Sequence, residues 1–120
     1  MYVVSWRVPE NAVANEVKVS ISTNGHEATI HIKADQFIYR KIHNEFHKIY
    51  RTKEVANASS RVIDLNGVNI MDSSGLAMLL TMRDFLGNDK ANIKITGANQ
   101  QVKEILTLAG FDQLFVIGWQ

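Results

Sequence analysis

A chain of 120 residues fits one domain of roughly 100 to 150 residues, large enough to bury a core without staples. Its net charge of +1 lacks the electrostatic footprint of a nucleic-acid binder, and it has no cysteine for disulfides or thiolate metal sites. No segment approaches the ~20 apolar residues a membrane helix needs, and the start Met1-Tyr2-Val3-Val4-Ser5-Trp6 reads as a poor signal peptide, so a cytoplasmic location is expected, with no membrane insertion.

Residues 1–16 give the weakest pattern. Tyr2, Val4, Trp6 and Val8 alternate with other residues, which suggests a short edge strand or a docking arm, stopped by Pro9. From Val17 the pattern sharpens, and 17–120 is expected to form the domain proper. Val17, Val19 and Ile21 alternate with Lys18, Ser20 and Ser22, the period of a half-buried strand. Asn24-Gly25 signals a hairpin turn, and Ala28, Ile30 and Ile32 continue the alternation on the way back.

Asp35 is a candidate cap for a helix from about Gln36 to Lys53, with Ile38, Ile42, Phe46 and Ile49 as its apolar stripe. Arg61-Val62-Ile63-Asp64-Leu65 reads as a strand. Met71-Asp72-Ser73-Ser74-Gly75-Leu76 then reads as a turn into a helix over 74–86, ended by Gly87-Asn88-Asp89. Asn92–Thr96 is the next strand. Asn99 caps a helix to Ala109 with Gly110 at its C′ position, and Leu114–Ile117 is a last short strand. The order ββαβαβαβ implies an α/β domain, a mixed sheet with helices packed on it, because strands joined through helices run parallel.

The turn at 71–76 carries the chemistry. Asp and Ser side chains there accept hydrogen bonds from the free N–H groups of a first helical turn. A helix start also favours negative charge, so a hydroxyl at that place suits a phosphate. Capping alone would equally explain Ser73 and Ser74. Asp72-Ser73-Ser74-Gly75-Leu76 after a strand resembles the phosphorylation motif of STAS-domain anti-sigma factor antagonists, and the resemblance runs from about Val17 to Phe115. It implies the same fold and a bacterial partner switch. Ser73, rather than Ser74, would accept phosphate from a serine kinase anti-sigma factor, and a serine/threonine-type phosphatase would reset it. Met71, Asp72, Ser73, Ser74, Gly75, Leu76 and Asp35 would meet the partner, with Gly75 leaving room for close approach to its backbone.

Two features depart from the family pattern. Many members carry a glycine and an acidic pair where this chain reads Lys33-Ala34-Asp35-Gln36-Phe37, and many add a helix after the last strand, where this sequence stops at Gln120.

Relatives with the same turn also serve as subunits of membrane transport complexes that dock on an ATPase. A phospho-switch with a non-transcriptional output, such as biofilm control, is a further alternative. Catalysis is not expected. Met71 replaces the first glycine of a G-x-S-x-G elbow, and all four histidines precede Ser73. His43 and His47 share a helix face but do not form H-E-x-x-H, so no metal is expected. No phosphate loop or dinucleotide turn is present, so no cofactor is expected either.

Overall fold

Alternation sends every second side chain of a strand to the same face, and here that face is a row of isoleucines. In the computed structural model, which describes residues 18–88 and 91–118, β1 (Lys18–Asn24) and β2 (Glu27–Lys33) form an antiparallel hairpin. Gly25 takes φ 64° in its turn, a conformation open to glycine without cost. Parallel strands β4 (Ser60–Asp64), β6 (Ile93–Thr96) and β7 (Val116–Ile117) complete a five-stranded sheet of order β1-β2-β4-β6-β7. Register aligns Ile21, Ile30, Ile63, Ile95 and Ile117 across all five strands. The central three are fully buried, each worth about 1.5–3 kcal/mol of apolar burial.

Helices α1 (Tyr39–Tyr50), α2 (Lys53–Ala56), α3 (Ser73–Phe85) and α4 (Gln100–Leu108) cover this core. α1 buries Ile42, Phe46 and Tyr50; α3 buries Met78, Leu79 and Met82; α4 buries Val102 and Leu106. Asn99 caps α4 through its side chain, accepting from the Val102 N–H at 2.9 Å. Gly110 follows α4 at φ 79°, as a C′ glycine does.

Four expectations change. A second, two-stranded parallel sheet appears, β3 (Gln36–Phe37) with β5 (Ile70–Met71). Because β3 uses residues 36 and 37, α1 starts only at Tyr39, and Asp35 is not its cap; the N-cap residue is Ile38, with no side-chain hydrogen bond. The helix expected to Lys53 breaks at Arg51-Thr52, where the Thr52 hydroxyl donates to the Ile49 carbonyl at 2.8 Å and α2 begins. The last strand shortens to β7, behind a 3₁₀ turn at Phe111–Gln113. The arm expected over residues 1–16 lies outside the described residues.

Arg61, on β4, is only 5% exposed. Its guanidinium donates to the carbonyls of Val55 at 2.9 Å, Ala56 at 2.7 Å and Ala91 at 2.6 Å. It thereby ties α2 to the approach of β6. Burial lowers its pKa from the usual arginine value.

Candidate functional site

The turn into α3 is built by one carboxylate oxygen. Asp72, in extended backbone, is the N-cap. Its Oδ1 accepts from the Ser74 N–H at 2.9 Å, the Gly75 N–H at 3.1 Å and the Ser74 hydroxyl at 2.6 Å. These bonds favour the charged form. They hold the Asp72 carboxyl below the usual carboxylate range, the Ser74 hydroxyl contributing most.

The two serines therefore differ. The Ser74 hydroxyl donates to Asp72 and accepts the Tyr39 N–H at 2.9 Å, an orphan donor in the first turn of α1. Ser74 is thus a tie between two helix starts. Ser73 is exposed, and its hydroxyl makes no hydrogen bond among the described residues. Reaction at the Ser73 hydroxyl would break no hydrogen bond among the described residues, whereas reaction at Ser74 would break two.

Gly75 is buried, and its role is internal. A Cβ there would lie 2.2 Å from the Phe37 carbonyl oxygen and 2.9 Å from its ring. The close approach it permits is by β3 of the same chain, which corrects the expectation that its bare backbone awaits a partner. Met71 is likewise 4% exposed and belongs to the core. Leu76 is partly buried against that core.

β3 and β5 bring Asp35 to the same end of the molecule. The Asp35 carbonyl accepts the N–H groups of Asn69 at 2.8 Å and Ile70 at 3.1 Å. Its carboxylate accepts the Asn69 side-chain amide at 2.5 Å, and Asn69 in turn accepts from Asn99 at 3.3 Å. The surface of the site is therefore Asp35, Asp72, Ser73 and Ser74, flanked by the half-exposed Tyr39 and Ile70. Asn69 and Tyr39 escaped the sequence reading because both act across distant segments.

A groove of about 180 Å³ between α1 and α3 opens beside Ser74 and is lined by Tyr39, His43, Phe46, His47 and Met78 among others. Tyr39, His43 and His47 stack along it, with centroids 4.2 and 5.4 Å apart. Both ring nitrogens of His47 are engaged, Nδ1 with the Tyr50 hydroxyl and Nε2 with Arg51. Among the described residues, no group of three or more His, Asp or Glu could hold a metal ion. No helix among them is long and apolar enough to cross a membrane.

A family model described as "Mlab, STAS domain" matches residues 19–117. A STAS-domain containing protein of Pseudomonas aeruginosa (strain UCBPP-PA14) is 37% identical over 97 residues, covering 80% of this chain and 92% of that protein. Among solved structures, an anti-sigma factor antagonist from Mycobacterium paratuberculosis superposes with TM-score 0.74 at 15% identity, covering 88% of each chain. The anti-sigma factor antagonist SpoIIAA in its unphosphorylated form gives 0.65 at 11% identity, covering 86% of this chain and 90% of that one. The phosphorylated form of SpoIIAA, from Bacillus, gives 0.62 at 10% identity, covering 86% and 93%. At such identities the structural matches establish the α/β fold.

Proposed function

The chain belongs to the STAS-domain family, and from that premise we propose that it is a partner-switching regulator, an anti-sigma factor antagonist controlled by reversible phosphorylation of Ser73. Unphosphorylated, it binds a serine kinase anti-sigma factor and frees the sigma factor. The kinase phosphorylates Ser73 and the complex parts. A serine/threonine-type phosphatase resets the switch. The work is binding, not turnover, and belongs in the cytoplasm.

One observation carries the reading: Ser73 presents an exposed hydroxyl at the start of α3 with no hydrogen bond among the described residues, while Ser74 is engaged on both sides. The likeness to antagonists described in unphosphorylated and phosphorylated forms supports it. The test is calorimetry against the cognate kinase, comparing wild type, Ser73→Ala and Ser73→Asp, with phosphopeptide mapping from native cells. Equal affinities and an unphosphorylated Ser73 would reject it.

The second reading is a STAS subunit of a membrane transport complex, docked on its ATPase with no need of phosphorylation. The groove between α1 and α3, lined by Tyr39, Phe46 and Met78 among others, favours it, since docking there would need no phosphate. Co-purification of an ATPase at equal strength with wild type and Ser73→Asp would establish that reading.

A further inference from the structure

On the sheet face opposite the isoleucine row, three polar side chains from three strands form a relay. The Ser22 hydroxyl lies 2.7 Å from His31 Nε2, and His31 Nδ1 lies 2.9 Å from Asp64 Oδ2. Cross-strand register sets this up. His31 stands directly opposite Asp64 in the parallel β2–β4 pair, and Ser22 is diagonal to His31 across the hairpin, whose direct partner is Ser20.

Asp64 is itself held. Its Oδ1 accepts the Asn66 N–H at 3.0 Å. Gly97, at φ 75°, passes so close that a Cβ there would come within 3.0 Å of Oδ1 and 2.8 Å of the Asn66 nitrogen. The carboxylate thus has a fixed second partner, and the backbone beside it is shaped to leave it room.

The proton positions follow from the chemistry of the groups. A carboxylate only accepts, so His31 Nδ1 carries the hydrogen and Nε2 presents its lone pair to the Ser22 hydroxyl. That is the polarity of a nucleophile, a general base and an orienting acid, a constellation recognised by geometry and not by sequence position. Ser22 is exposed, and the His31 and Asp64 side chains keep 33% and 29% of their surface open. A reagent reaches the hydroxyl from bulk solvent.

We infer that Ser22 is an activated nucleophile, a second covalent site on this chain, which takes an acyl group from a small activated ester. Ser22 Oγ attacks the ester carbonyl carbon as His31 Nε2 takes the hydroxyl proton. The bond from that carbon to the leaving oxygen breaks, and the leaving group departs with the electron pair. The imidazolium, stabilised by Asp64, returns the proton to it. The products are acyl-Ser22 and the free alcohol or phenol. The site is independent of the Ser73 switch and stands whether or not that reading does.

The experiment uses the whole chain and p-nitrophenyl acetate, with the acetylated peptide sequenced by mass spectrometry over time. Ser20, Ser22 and His31 share one tryptic peptide between Lys18 and Lys33, so Ser20 is an internal control on the same strand face. Acetyl should accumulate on Ser22 ahead of Ser20 and disappear from that position in His31→Ala. Asp64→Asn should slow it at least about tenfold while circular dichroism stays unchanged. In the same variant, nitrogen chemical shifts of His31 should show loss of the Nδ1–H tautomer, a change that a purely structural role for Asp64 would not produce. Ser20→Ala should react as wild type. Equal labelling of Ser20 and Ser22, or labelling of Ser22 that survives His31→Ala, would overturn the inference and leave the relay a structural ladder.

Discussion

The Ser74 hydroxyl sits 2.6 Å from Asp72 Oδ1 and receives the Tyr39 N–H at 2.9 Å, so this one side chain joins the starts of α3 and α1. Ser74→Ala should therefore cost stability, about 0.5–1.5 kcal/mol for the exposed hydrogen bonds lost. Phosphorylation at Ser73 should persist in that variant. Chemical denaturation and phosphopeptide mapping check the two halves separately.

Gly75→Ala reverses a common expectation. Replacing glycine inside a helix gains roughly 1 kcal/mol of propensity. Here the new Cβ would meet the Phe37 carbonyl oxygen at 2.2 Å, and backbone must move. Overpacking of this kind costs about 1–3 kcal/mol or more. Thermal unfolding should show Gly75→Ala below wild type. A raised melting temperature would mean that β3 yields easily.

Charge at Ser73 should act on binding, not on folding. A phosphate adds about −1.5 to −2 charge beside Asp72, offset in part by the helix start. A partner face fitted to a neutral hydroxyl would lose on the order of 1–4 kcal/mol, tenfold to a thousandfold in affinity. Ser73→Asp should reproduce part of that loss with an unchanged circular dichroism spectrum, and Ser73→Ala should bind constitutively.

Acid should weaken the cap. The pKa of Asp72 is lowered by its bonds to Ser74 and Gly75, so its carboxylate stabilises the fold fully above the ordinary value of 3.8. That contribution is lost as pH falls below 3.8 through the lowered folded value. The stability difference between wild type and Asp72→Asn should shrink over this window. A difference that stays constant down to the pH of acid unfolding would show that charge plays no part in the cap.

The isoleucine row is the mechanical centre of the sheet. Ile63 is fully buried between Ile30 and Ile95. Ile63→Val should cost about 0.5–1.5 kcal/mol and Ile63→Ala about 2–5 kcal/mol. Urea denaturation measures both.

The elements that could be read from sequence were those whose signals are local. The hairpin showed itself by alternation, and α4 by its Asn99 cap and Gly110 stop. β3 and β5 did not, because two-residue strands have no period; Gln36 and Ile70 become strand residues only by pairing with each other. The same limit governed the site. The motif located Ser73 and Ser74, but it could not show that Ser74 also receives the distant Tyr39 N–H. Gly75 was visible as a glycine, whereas Phe37, which fills its space, was not. The Ser22–His31–Asp64 relay left a faint signal, since alternation puts Ser22 and His31 on the same polar strand face. Finding it also required the hairpin register and the parallel pairing of β2 with β4.

Arg61 has a consequence for how the fold meets its ionic surroundings. Its charge is solvated by three carbonyl dipoles, as water would solvate it, and no carboxylate among the described residues neutralises it. Mobile ions screen the attraction between exposed charges, but they have no access to oxygens packed 2.6–2.9 Å around a guanidinium. The link from α2 to β6 should hold as firmly in concentrated salt as in dilute buffer. A lysine, with one compact ammonium in place of a planar fork, could not reach all three oxygens at once.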